Sequence, residues 1–201
     1  MIKTLVDYND PILKEEMPVF NFQDFSAKDI ETICNDLIDS LKHYKGIGLS
    51  ANQINMRHRV FVLWTNPTIV AFNPRIVYES EEMTYEDEGC LSYPGVTMKI
   101  KRPLQIRARY HLPNGEIHTN TFKGLTAKAF HHEMDHLNGK TFFERANFLH
   151  KEKGLKKLKK YSRMIKRSEG VRPSLNTPHT EQLNINMDGV NEVLFNKNIR
   201  S

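Results

Sequence analysis

The sequence predicts an α+β domain in which antiparallel β-sheets surround a central helix carrying an H-E-x-x-H motif. Three observations lead there. Residues 126–137 lack strand alternation and are rich in Ala, Leu, Met, Glu and Lys, which favour helix. Residues 104–112 alternate apolar and polar side chains, as a half-buried strand does. Residues 30–41 repeat apolar residues at three- and four-residue steps, the period of an amphipathic helix.

Taken in order, Asp10-Pro11 opens a helical turn, and Ser26 followed by Asp29 matches the pair that satisfies free N–H groups at a helix start. The helix that follows buries Ile30, Ile33, Cys34, Leu37 and Leu41 on one face and stops before Gly46, so Cys34 reads as core. Runs at 59–64, 68–73 and 75–79, rich in Val, Ile and Phe, read as three short strands. Leu104, Ile106, Ala108, Tyr110 and Leu112 form the clearest strand, and Pro113-Asn114-Gly115 turns it back into 116–122 as a hairpin. The motif helix ends at Gly139. A further helix over 147–167 has Leu155, Leu158, Tyr161 and Ile165 as an apolar stripe. His111, His118 and His150 read as surface residues. After Ser168 the composition shifts to Asn, Thr, Pro, Ser and Gly, which predicts a weakly ordered tail over 169–201. The expected division is a catalytic domain at 1–150, a basic helix at 151–168 and that tail.

Composition narrows the classes. With 39% hydrophobic and 26% charged residues, the chain resembles ordinary globular proteins. It has no apolar run of about 18 residues to span a membrane and no apolar or Arg/Ser-rich leader, so a cytoplasmic address is the default. Two cysteines, Cys34 and Cys90, argue against a disulfide scaffold. The formal charge of +5 is concentrated: nine Lys/Arg and the single acid Glu152 put +8 into residues 151–167, leaving −3 elsewhere. The remainder therefore carries little overall electrostatic reason to bind nucleic acid.

His132-Glu133-Met134-Asp135-His136 matches H-E-x-x-H. On a helix, residues four apart share a face, so two imidazoles converge on one metal ion while Glu133 reaches the water beside it. A catalytic site of this kind holds three protein ligands and one open position. The third ligand is a downstream carboxylate, Glu144 or Glu152, as in a zinc endopeptidase, or it is Cys90 in the loop Glu88-Gly89-Cys90-Leu91-Ser92. Gly46-Ile47-Gly48-Leu49-Ser50-Ala51-Asn52-Gln53 lacks both the third glycine of a dinucleotide fingerprint and the Lys-Ser/Thr of a phosphate loop. Its glycines permit close approach of a substrate, and Gln53 adds an amide donor. A non-catalytic RNA- or ribosome-binding protein built around a structural metal is the competing class.

Together, residues 46–53, 88–92 and 132–136, in this order and spacing, resemble the three signature motifs of peptide deformylases, and Asp10-Pro11-Ile12-Leu13 is similar to that family's early segment. The resemblance covers about residues 5–150 and implies an enzyme that removes the formyl group from N-terminal methionine, releasing formate. It implies Cys90, His132 and His136 as metal ligands, Glu133 as general acid/base, and Gln53 with the Leu91 N–H as oxyanion donors. It implies substrate contacts at Ile47, Gly48, Gly89, Leu125, Lys128 and Ala129. It implies Fe²⁺ in the cell, with Zn²⁺, Ni²⁺ and Co²⁺ as other ions the donors accept. The partners it implies are formylmethionyl nascent peptides and, through the basic helix 151–167, the ribosome, with no membrane and no DNA. Lys128 departs from the family's apolar residue, and its stem is expected to line the pocket while its ammonium stays in water. Ser50, Asn52, Thr97 and His131 also depart, and they are expected to change peptide preference more than reaction type.

Overall fold

The computed structural model describes residues 1–167. The anticipated helical turn is present at Pro11–Lys14, capped by the Asp10 carboxylate, which accepts from the Ile12 N–H at 3.0 Å. Helix α1 runs Ala27–Tyr44, with Ser26 and Asp29 exchanging hydrogen bonds as a capping box, and it closes on Lys45 in the left-handed region just before Gly46. Its face Ile30, Ile33, Cys34, Leu37 and Leu41 is buried. Burial in this apolar layer pushes the Cys34 thiol up to about 12, so it is an inert core residue.

Seven strands follow: β1 (Gly48–Ser50), β2 (Val60–Leu63), β3 (Ile69–Glu79), β4 (Met83–Gly89), β5 (Thr97–Pro103), β6 (Gln105–His111) and β7 (Ile117–Lys123). They make an antiparallel sheet of order β1-β2-β3-β6-β7 and a separate two-stranded ribbon, β4-β5. Strand alternation assigns the sheet two faces. Val60, Val62, Val70 and Phe72 pack against α1, whereas Phe61, Leu63, Ala71, Ile106, Ala108, Tyr110 and Phe122 meet Ala127, Phe130, Met134 and Leu137 of α2 (Gly124–Leu137). Helix α2 is thus held between the sheet and the ribbon, and every residue from Ala129 to Leu137 is buried.

Several expectations need correction. The runs 68–73 and 75–79 form one strand, because Asn73 at φ 48° makes an irregularity that absorbs Pro74 without ending the pairing. The ribbon had no clear apolar alternation to announce it. In β5 the inward positions are Met98, Ile100 and Arg102, so a cation stands on the core side where the alternation calls for an apolar residue, and β4 is mostly exposed. A short helix α3 (Phe142–Arg145) precedes α4 (Phe148–Arg167). The packed side of α4 is Gly154 and Leu158, with Tyr161 and Ser162 partly covered, while Leu155 is exposed. The Ile165 side chain and the expected tail lie outside the described residues. His111, His118 and His150 are half-buried against the rings of Phe22, Tyr110 and Tyr85.

Gly139, at φ 66°, closes α2, and a β-carbon there would lie 2.5 Å from the Lys14 carbonyl oxygen. Gly139→Ala combines left-handed strain with a backbone clash and is expected to cost about 2 kcal/mol. A urea melt showing an unchanged midpoint would contradict that packing.

Candidate active site

Lys128, His132 and His136 stand at four-residue steps on α2, so one face of the helix presents all three. Both histidines are buried. Cys90 follows β4, and the antiparallel pairing of Glu88 with Met98 and Gly89 with Thr97 sets the height at which it meets α2. Its Sγ lies 3.1 Å from His136 Nε2. One donor atom from each of Cys90, His132 and His136 falls within 4.8 Å of the others, the one such cluster among the described residues. Glu144 instead caps α3, accepting from the Thr141 N–H at 2.6 Å, and Glu152 is exposed. Neither carboxylate takes part in that cluster.

His132 is oriented from behind, whereas His136 Nδ1 has no hydrogen-bond partner among the described residues. Glu88 Oε1 is 2.5 Å from His132 Nδ1. A carboxylate only accepts, so Nδ1 carries a proton; burial is outweighed by the Cys90 and Glu88 charges, which favour a proton on Nε2 as well, one that a metal ion would displace. Glu88 is itself gripped by Arg102, Nε to Oε2 at 3.1 Å and Nη2 to Oε1 at 2.8 Å. Arg102 reaches Asp135 Oδ2 at 2.7 Å, and Arg145 closes the chain on Asp135 Oδ1 at 2.6 Å. Burial raises the Glu88 carboxyl, but the His132 and Arg102 charges outweigh it and hold it at about 2. At Cys90, burial likewise opposes ionisation, yet the imidazoles of His136 and His132 bring the thiol down to about 5, so it is a ready thiolate ligand.

Gln53 lies within the 3-10 turn Ala51–Ile54, and its Nε2 donates to Ser92 Oγ at 3.0 Å and lies 3.6 Å from Cys90 Sγ. Its Oε1 accepts from the Ser50 N–H at 2.9 Å and the Ser50 hydroxyl at 3.0 Å, which directs the amide nitrogen toward the cysteine. Asn52 Nδ2 donates to the His136 carbonyl at 2.8 Å. Ser50 and Asn52 are both fully buried, so these departures serve positioning.

Glu133 is buried on the neighbouring face of α2, and its Oε2 has no hydrogen-bond partner. A β-carbon at Gly48 would clash with its carboxylate, so glycine is what lets β1 approach. Burial raises the Glu133 carboxyl to about 7, against the opposing pull of His132 and His136. A carboxyl near the working pH, with a free oxygen beside three metal-type donors, is arranged to take and return a proton.

Ile47 and Leu125 are half-buried, Ala129 is buried and Gly89 is exposed. Lys128 does not keep its ammonium in water. Nζ lies 2.8 Å from Glu86 Oε2 and 3.2 Å from the Asp87 carbonyl, and the side chain is 12% exposed. His131 is buried, and burial lowers its pKa to about 4, so its ring is neutral and its 3.5 Å approach to Glu79 is not an ion pair. Sequence reasoning passed over Arg102, Asp135 and Arg145, and it quoted Glu88 without a role. Glu88 and Asp135 lie inside the quoted motifs, but Arg102 looks like one more strand cation.

Residues 2–153 match the family described as polypeptide deformylase. A peptide deformylase of Thermotoga petrophila is 35% identical over 162 residues, 80% of this chain and 96% of that protein. A solved peptide deformylase from Plasmodium falciparum superposes with a TM-score of 0.74 at 32% identity, covering 82% of this chain and 98% of the other. A Met-Ala-Ser-bound class I type b peptide deformylase from Acinetobacter baumannii superposes with a TM-score of 0.69 at 26% identity, covering 72% and 98%.

Proposed function

The chain belongs to the peptide deformylase family, whose reaction is metal-dependent removal of the N-formyl group from nascent polypeptides, and on that premise we propose how its own residues divide the work. Cys90, His132 and His136 hold the ion. The donor set suits it: a low-pKa thiol, an imidazole with its proton fixed on the far nitrogen, and a second imidazole 3.1 Å from the sulfur. When bound, a divalent ion supplies Lewis acidity and activates water near neutral pH. One thiolate and two imidazoles accept Fe²⁺, Zn²⁺, Co²⁺ or Ni²⁺, and Fe²⁺ is the proposed ion in the cell.

Glu133 takes the proton from the attacking water and returns it to the departing amine, so formate leaves from a free N-terminal methionine. Gln53 Nε2 and the Leu91 N–H stabilise the oxygen that becomes negative on the formyl group, because donors held in place need no rearrangement as charge develops. Gly48 and Gly89 leave room for the peptide backbone, and Ile47, Leu125, Lys128 and Ala129 wall the methionine side chain. The observation that carries this reading is the donor cluster beside the unpartnered Glu133 oxygen. Protein stripped with a chelator is expected to release no formate from formyl-Met-Ala-Ser and to recover on anaerobic addition of Fe²⁺. Formate release by the stripped protein would refute it.

Lys128→Met replaces a tethered cation in that wall by an apolar chain of similar length. It is expected to lower KM for formyl-Met peptides severalfold with kcat little changed, the mark of binding shared by ground and transition states. Steady-state kinetics on formyl-Met-Ala-Ser check it.

The proposed partner beyond the peptide is the ribosome, through α4. Leu158 faces the core while Lys151, Lys153, Lys156, Lys157, Lys159, Lys160 and Arg163 are exposed. Exposed cations suit a phosphate backbone. The proposed organisation is a catalytic unit over 1–150 with this helix appended, working in the cytoplasm where chains are made. No helix among the described residues is long and apolar enough to cross a membrane. Replacing Lys156, Lys157, Lys159 and Lys160 with Gln should abolish co-sedimentation with ribosomes.

A further inference from the structure

The −3 left outside residues 151–167 hides an uneven surface. On the main sheet, α1 covers one face only across β1, β2 and the first half of β3, where Val60, Val62, Val70 and Phe72 lie under the helix. His111, packed on Phe22, marks the border of that cover. Beyond it, the same face of β3, β6 and β7 is open among the described residues, and four exposed cations occur on it: Arg75, Arg107, Arg109 and Lys123.

Register brings them together. Arg75 pairs directly with Arg109, and Arg107 is two residues along β6 on the same face, about 7 Å away. Lys123 pairs with Gln105 at the next outward position of β6. Arg109 Nε donates to Thr119 Oγ1 at 3.3 Å, but none of the four cations is within ion-pair distance of a carboxylate among the described residues. The strand-end acids are elsewhere: Glu79 lies toward His131 of α2, and Glu116 lies near His118 outside the strands. Like charges directly opposite one another destabilise a sheet, so an unneutralised Arg75–Arg109 pair is a cost that a bound polyanion would remove.

The rest of the face has a definite character. Tyr78, the register partner of Arg107, is 49% exposed, and Thr119 and Thr121 present hydroxyls beside the arginines. Guanidinium forks match phosphate oxygens, an exposed ring on a sheet offers a base a surface to stack on, and hydroxyls suit sugar oxygens. A membrane would ask for apolar anchors around the cations, and among the described residues Ile117 and Val77 are the only large aliphatic side chains that stand out there. We infer that the open face of β3-β6-β7 binds the phosphate backbone of single-stranded RNA through Arg75, Arg107 and Arg109, with a base stacked on Tyr78. The site is separate from the catalytic centre and from α4, so it stands or falls independently of the deformylase assignment.

The test is fluorescence anisotropy of a 5′-fluorescein uridine 12-mer with the full chain over a salt series. Its variants are Arg75→Gln/Arg107→Gln/Arg109→Gln, Tyr78→Ala, and the α4 variant with Lys156, Lys157, Lys159 and Lys160 changed to Gln. The triple variant is expected to bind at least about tenfold more weakly at low salt and to flatten the slope of log K against log salt by about 2, as three lost phosphate contacts require. Tyr78→Ala should weaken binding about tenfold without changing the slope. The triple variant should keep formate release and melt at or above the wild-type temperature, which shows that it is folded. The inference is overturned if the wild type does not bind, if the triple variant keeps the wild-type affinity and slope, or if the α4 variant alone abolishes binding. It is also overturned if the triple variant loses binding to phosphatidylserine vesicles while its RNA binding is unchanged.

Discussion

Glu133→Gln is expected to lower kcat for formate release by about 10²–10⁴-fold, the usual worth of a positioned acid/base, while metal content stays at the wild-type level. The amide keeps the shape of the carboxyl and fills the space under Gly48, so the loss is chemical and the packing is kept. A thermal consequence separates this from a structural effect. Burial raises the Glu133 carboxyl from 4.5 to about 7 in the folded protein. The folded state therefore holds more protons than the unfolded state between those values, and stability falls as pH rises through that window. In metal-free protein, Glu133→Gln should remove this part of the decline, so the variant melts higher than the wild type at pH 8 and similarly at pH 4. A variant with wild-type kcat would remove Glu133 from the mechanism, and one melting lower than the wild type at pH 8 would contradict its costly burial.

The largest stability effect is expected at Arg102→Met. Arg102 is 2% exposed and holds both Glu88 and Asp135, so its removal leaves two buried carboxylates with only His132 and Arg145, respectively, to offset their charge. Breaking a buried pair in this way costs about 3–5 kcal/mol, because each carboxylate loses its most buried partner and does not regain water. At this chain length that corresponds to a fall in Tm of roughly 6–20 °C. Glu88 would keep its hold on His132 but lose the clamp that orients it, and a disturbed supporting contact of this kind typically lowers metal affinity about 10–100-fold. Chelator competition and a melting curve read the two effects separately. Loss of less than 1 kcal/mol would show that water reaches Glu88 and Asp135 when Arg102 is gone.

The elements that were legible have local causes. The capping pair Ser26 and Asp29, the apolar face of α1, the alternation of β6 and the turn at Asn114-Gly115 all act within a few residues, and each is where the sequence puts it. The same holds for His132 and His136, since four-residue spacing on a helix is itself a geometric statement. Leu155 failed because steps of three (Leu155-Leu158-Tyr161) and of four and three (Gly154-Leu158-Tyr161) both fit one helical face, and Met98 and Phe143 facing Gly154, with Gly95 facing Tyr161, choose between them.

What the sequence determined by itself, then, was the candidate site's residue types and the helix that presents His132 and His136. Tertiary structure decided the third candidate donor, where Cys90 meets His136 across 46 positions, and the chain of contacts from buried His132 through Glu88, Arg102 and Asp135 out to the exposed Arg145. It also decided the location of charge. Summed along the chain, Arg75, Arg107 and Arg109 vanish into a net of −3, whereas strand pairing sets Arg75 opposite Arg109. Periodicity is local and survives in the sequence. Desolvation and Coulomb interaction depend on distance in space, which contacts between remote segments alone define.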